Sequence, residues 1–211
     1  RLSVREPRED SGVISALAIH DIDICRMLLN EAMPCEVRCV ALPSETEGIE
    51  DYATVHLTFP TGTSGGLHGV AATLTSSWRS RIRGKVRSLR IYGRDASIHI
   101  DTHRYDGFHL HSHPGQAIGE GWGGVSTAPS RWIEVVGGEQ SLAAELRAFI
   151  QASRFRLREG ILSPPEVGLE AMRIVEAAKQ SAACGAAVTI DALSSIQEQP
   201  TARIVHGTEH R

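Results

Sequence analysis

"YATVHLTFPTGTSGGLHGVAATLTSSW", Tyr52–Trp78, carries the reading of the fold. Its first part, Tyr52–Phe59, alternates apolar and polar side chains, the period-2 signature of a strand with one buried face. Pro60 to Gly62 interrupt that pattern, and a second alternating run follows. The two runs read as a hairpin around "PTGTSGG". Upstream, "CEVRCVAL" (Cys35–Leu42) alternates in the same way, and "SETEGIED" is a turn or loop. Downstream, "KVRSLRIYG" and "ASIHIDT" form a strand pair parted at Gly93–Asp95, and "GFHLHS" and "RWIEVVG" are two more strands.

Helices flank this run. From Val13 to Asn30 the apolar positions fit one helix, led in by Ser11 and Gly12, with Pro34 beyond its end. In "SLAAELRAFIQASRF", Leu142, Leu146, Phe149 and Ile150 share a helical face. "SPPEVGLEAMRIVEAAKQSAAC" has Ser163 as N-cap and prolines in its first turn, and Gly185 ends it. "AAVTI" closes the pattern as a strand. The expected class is α+β: an open, mostly antiparallel or mixed sheet with helices packed on one face. Residues 1–190 read as one domain and 191–211 as a polar tail.

Composition narrows the function. The 211 residues are 41% hydrophobic and 22% charged with a formal net charge of −3, which suits a globular domain. Arg79, Arg81, Arg83, Lys85 and Arg87 alternate in "WRSRIRGKVR", but no broader basic patch marks a nucleic-acid or membrane partner. No apolar run approaches the roughly 20 residues that span a bilayer. Cys25, Cys35, Cys39 and Cys184 form no C-x-x-C and read as reduced thiols of a cytoplasmic protein. The sequence opens on Arg1 and shows no signal peptide, so a fragment or a processed product is expected.

Three motifs invite chemistry. "GEGWGG" places Gly119, Gly121 and Gly124 at G-x-G-x-x-G spacing. It lacks the preceding strand and following helix that a pyrophosphate site needs, so it reads as a surface loop. "HLHSH" puts His109, His111 and His113 on one face of a strand, with His99, Asp101 and His103 on or beside the neighbouring one. This set reads as a polar sheet face, with a metal-binding module as a third functional possibility. In "AIHDID", His20 and Asp23 are three apart and share a helix face, whereas Asp21 points elsewhere. Imidazole suits proton transfer near neutrality.

"DSGVISALAIHDIDICRML", "DYATVHLTFPTGTSGGL" with "SSW", "KVRSLRIYGRDASIHID" and the two C-terminal helices with "AAVTI" follow one another in a familiar order. In that order and spacing the chain resembles the C-terminal domain of the Gfo/Idh/MocA oxidoreductases over about residues 8–190. The resemblance implies an NAD- or NADP-dependent enzyme whose cofactor is held mainly by an N-terminal Rossmann domain not contained in this sequence. It implies a sugar or cyclitol substrate oxidised at a secondary alcohol, and a homodimer or tetramer formed through the sheet. His20 matches the histidine of the family's D-x-x-x-H motif and is the implied catalytic acid–base group. Asp23, Trp78, Lys85 and Arg87 are the candidate substrate-binding residues; no metal is expected. The family's lysine in "EKP" has no counterpart here, and its aspartate position is occupied by Ala16. A non-catalytic homologue serving ligand binding or oligomerisation is the competing expectation.

Overall fold

The alternating runs pair as antiparallel ladders. The computed structural model describes residues 11–45, 48–60, 69–79, 87–101, 107–112, 130–135, 141–155 and 163–190. The expected tail at 191–211 and the hairpin loop at 61–68 lie outside them. The chain divides into two compact units, residues 1–79 with 165–211 and residues 80–164.

In the first unit, β1 (Glu36–Pro43) pairs with β2 (Glu50–Phe59), and β2 with β3 (Val70–Ser77), all antiparallel. Val37 and Cys39 on β1, Ala53, Val55, Leu57 and Phe59 on β2, and Leu74 on β3 are buried. Their strand neighbours are exposed or half-buried, as the period of two requires. A single π-helical turn, Ile14–Ala18, runs into α1 (Ile19–Leu28), so the one helix expected over 13–30 is two stacked helical segments. The Ile19 N–H reaches back to the Ile14 carbonyl, five residues earlier. Val13, Ile14, Ala18 and Ile22 enter the core, where they meet Ile174 and Val175.

α1 stops without glycine. The Glu31 N–H bonds the Arg26 carbonyl at 2.8 Å and the Asn30 N–H bonds the Met27 carbonyl at 3.3 Å, a Schellman closure. Asn30 and Glu31 take φ values of 54° and 59° to make it. Asparagine tolerates that region; glutamate does so at some cost.

The second unit contains β4 (Ser88–Tyr92), β5 (Ala96–Asp101), β6 (Gly107–Ser112) and β7 (Ser130–Glu134), an antiparallel meander in that order. It also contains α2 (Ser141–Phe155), whose shared-face residues Leu142, Leu146, Phe149 and Ile150 are all more than half exposed. The last helix, α3 (Pro165–Cys184), belongs to the first unit and begins on a proline, whose missing N–H costs nothing in the first turn. Gly185, at φ 69°, turns the chain into the two-residue β8 (Val188–Thr189), antiparallel to β1. The class is α+β with antiparallel sheets, as the alternation implied; the strands are shared between two four-stranded sheets, β3-β2-β1-β8 and β4-β5-β6-β7.

Because β8 covers only Glu36 and Val37 of β1, the next inward-facing part of that edge is completed by a side chain. Ser181 of α3 is fully buried; its hydroxyl accepts from the Cys39 N–H at 2.9 Å and donates to the Ala186 carbonyl at 2.6 Å. Ser181→Ala leaves both backbone groups without that partner, and a loss of about 1–3 kcal/mol in urea unfolding is expected. An unchanged midpoint would assign those groups another partner.

Candidate functional site

His20 sits one residue into α1. Ile22, Cys25 and Arg26 turn into the protein, which leaves His20 and Asp23 both exposed. Neither side chain makes a hydrogen bond or ion pair to another described residue. Asp21 is half-buried and directed elsewhere: its charge adds to the effect of burial in raising the Cys25 thiol from 9.0 to about 11. Ala16 lies half-buried in the π turn.

The helix is anchored at both ends. At its N-terminal end, a Glu50 carboxylate oxygen from β2 accepts from the Ile14 N–H at 2.9 Å. That places an anion on the positive end of the helical segment. The carboxylate lies where a side chain on residue 12 would stand, so any larger residue there would have to displace Glu50 from this position. Glu50 also borders an open cleft of about 340 Å³ lined with Ser11, Ser15, Ala41 and Lys179; His20 is not among its lining residues.

At the other end, the fully buried Arg26 guanidinium ties α1 to α3. One terminal nitrogen donates to the Val167 carbonyl at 2.9 Å. The other donates to the Glu31 carbonyl at 3.2 Å, lies 3.5 Å from the Glu31 carboxylate, and is paired with Glu170. Only its Nε lacks a partner among the described residues. Sequence reading missed Arg26 and Glu50, because their partners lie 141 and 36 residues away. Arg26 also breaks the apolar pattern of its own face without any local sign of why.

Of the other expected site residues, Trp78 and Arg87 are among those described. Trp78 is half-buried at the end of β3, packs against the hydrophobic core, and donates its backbone N–H to the Asp51 carbonyl at 2.9 Å. Next to it, Arg79 pairs with Asp51 at 2.5 Å. Arg87 is half-buried at the start of the second unit, and Lys85 lies outside the described residues.

His99 stands directly opposite His109 across β5 and β6. His109 stacks on His111 at 6.2 Å between ring centroids and meets the edge of Trp132 at 4.8 Å. Among the described residues no three His, Cys, Asp or Glu side chains are grouped to hold a metal ion. His103, His113 and the 119–124 glycine loop lie outside them.

Two thiols are shielded. Burial raises Cys39 from 9.0 to about 11, with Glu50 contributing, in parallel with Cys25. Folding therefore favours the protonated thiols. Their contribution to stability is complete below pH 9.0 and is lost as pH rises toward 11. In thiol labelling near neutral pH, Cys25 and Cys39 should react only on unfolding, and rapid native labelling of either would contradict the packing.

The described residues also bear on cofactor binding. Among the described residues every strand pair is antiparallel, so none of them forms a βαβ crossover with a glycine-rich turn opening a helix. They do not fit a dinucleotide cradle.

The sheet β3-β2-β1-β8, backed by α1 and α3 and with an imidazole displayed on α1, defines an α+β domain. The chain belongs to the Gfo/Idh/MocA oxidoreductases: residues 4–190 match the family's C-terminal alpha/beta domain. No curated protein matches it by sequence. Among solved structures, a UDP-N-acetylglucosamine 3-dehydrogenase from Acidithiobacillus ferrooxidans is 25% identical, with a TM-score of 0.58 over 84% of this chain and 48% of that one. An aldose-aldose oxidoreductase from Caulobacter crescentus, complexed with glycerol, is 18% identical, with a TM-score of 0.65 over 89% and 51%. A levoglucosan dehydrogenase, in complex with NADH and levoglucosan, is 18% identical, with a TM-score of 0.65 over 87% and 51%. The chain spans about half the length of these structures.

Proposed function

We propose that this chain is the substrate-side part of an NAD- or NADP-dependent oxidoreductase acting on a secondary alcohol of a sugar, cyclitol or related compound. The observation that carries the reading is His20, exposed on a helix that Glu50 and Arg26 hold at its two ends. Family membership and the dehydrogenases among its structural neighbours support it. When bound, a nicotinamide supplies the hydride acceptor; its binding falls to residues beyond those described. His20 takes the alcohol proton on oxidation and returns it on reduction. Asp23 is the polar neighbour of His20 in that site, Trp78, Lys85 and Arg87 are the proposed substrate contacts, and the chain alone is inactive.

The test is nicotinamide reduction by the complete protein over a panel of sugars and cyclitols. Turnover that depends on one of them supports the reading, and none with any member rejects it. A second reading, a homologue retained for ligand binding or assembly, is favoured by the alanine at position 16. It is distinguished by substrate binding without turnover. Cytoplasmic location and a dimer or tetramer formed through the sheet belong to the same proposal, and a strictly monomeric mass in light scattering would remove the latter.

A further inference from the structure

We infer that Asp23 is a positioning residue for His20: its carboxylate orients the imidazole and offsets the charge the ring gains with the proton. This rests on the reading of His20 given above. α1 is regular from Ile19 to Leu28, so residues 20 and 23 are neighbours on its surface, with Cβ atoms about 5–6 Å apart. Both are exposed and neither is engaged by another described residue.

The other carboxylates near the helix are committed. Asp21 is adjacent in sequence, faces away from His20 and acts on Cys25. Glu50 holds the Ile14 N–H, and Glu31 and Glu170 are paired with Arg26. Position 16, which also lies one helical turn from His20, carries only a methyl group. Asp23 is thus the one carboxylate of this set free to meet the ring. Such contacts are commonly loose without substrate and tighten when it binds.

A double-mutant cycle in the complete protein tests the inference. Asp23→Asn preserves shape on an exposed site, and its thermal midpoint should match the parent's. It should lower kcat about 10–100-fold with little change in KM, the range for groups that orient a reacting residue. In a His20→Ala background the same change should have no further effect. In the Asp23→Asn background, Ala16→Asp should recover part of the loss, because it brings a carboxylate back within one helical turn of the ring.

Losses that multiply in the double variant, or a rise in KM with kcat unchanged, would make Asp23 an independent substrate contact and overturn the inference alone. Parental turnover in His20→Ala would instead remove the reading beneath it, and this inference with it.

Discussion

In the complete protein, His20→Ala is expected to lower kcat by about 10²–10⁴-fold, the usual contribution of a positioned acid–base group. The reason is chemical. As hydride leaves the alcohol carbon, the hydroxyl proton must leave too, or a high-energy protonated carbonyl forms. An imidazole within reach accepts it at neutral pH. KM should change little, because the interaction develops in the transition state rather than on binding. The substitution also spares the fold, since His20 is exposed and the buried side of α1 is formed by Ile22, Cys25 and Arg26. Steady-state kinetics of a variant with the parental melting temperature check the expectation. Parental turnover would take His20 out of the chemistry and strengthen the binding-module reading.

The largest expected loss of stability is at Arg26. Arg26→Ala should destabilise the first unit by about 2–5 kcal/mol, the range for truncating a large buried side chain, because the partner carboxylates of Glu31 and Glu170 are 42% and 36% exposed and stay solvated. Three things fail together. The Val167 carbonyl loses its donor, the Glu170 carboxylate loses its counter-charge, and Glu31 loses the group that bonds its carbonyl. Glu31 has a positive φ, so the closure of α1 depends more on that clamp than a glycine stop would. Arg26→Met fills much of the space without the charge and should separate packing from pairing. Urea unfolding followed by circular dichroism measures both variants, and a loss below about 1 kcal/mol for Arg26→Ala would show that the network contributes little.

These two residues mark how much of the molecule could be read locally. His20 was visible because it stands among aliphatic residues on a helix-forming stretch and because the segments after it resemble one family in order. Arg26, six positions later on the same helix, carries no such mark. Its meaning depends on Glu170 and Val167, which only the packing of α3 brings to it. Trp78 was singled out either to line the sugar site or to serve the sheet, and the fold adds that its half-buried ring packs against the core. Gly12 was legible only as a helix lead-in, whereas the fold shows the Glu50 carboxylate lying in the space a side chain there would take.

The sequence by itself determined where the strands and helices lie and the α+β class. Those follow from periodicities of two and near four, which neighbouring residues carry among themselves. It also determined the family, through the order of its segments. Only the tertiary structure decided that the strands form two sheets, that β8 closes the edge of β1, and that Ser181 continues that edge. It alone decided that Glu50 and Arg26 hold the helix bearing His20. Strand pairing and buried polar contacts join residues far apart in the chain, and such partners are selected by packing and by the need to satisfy buried donors and acceptors.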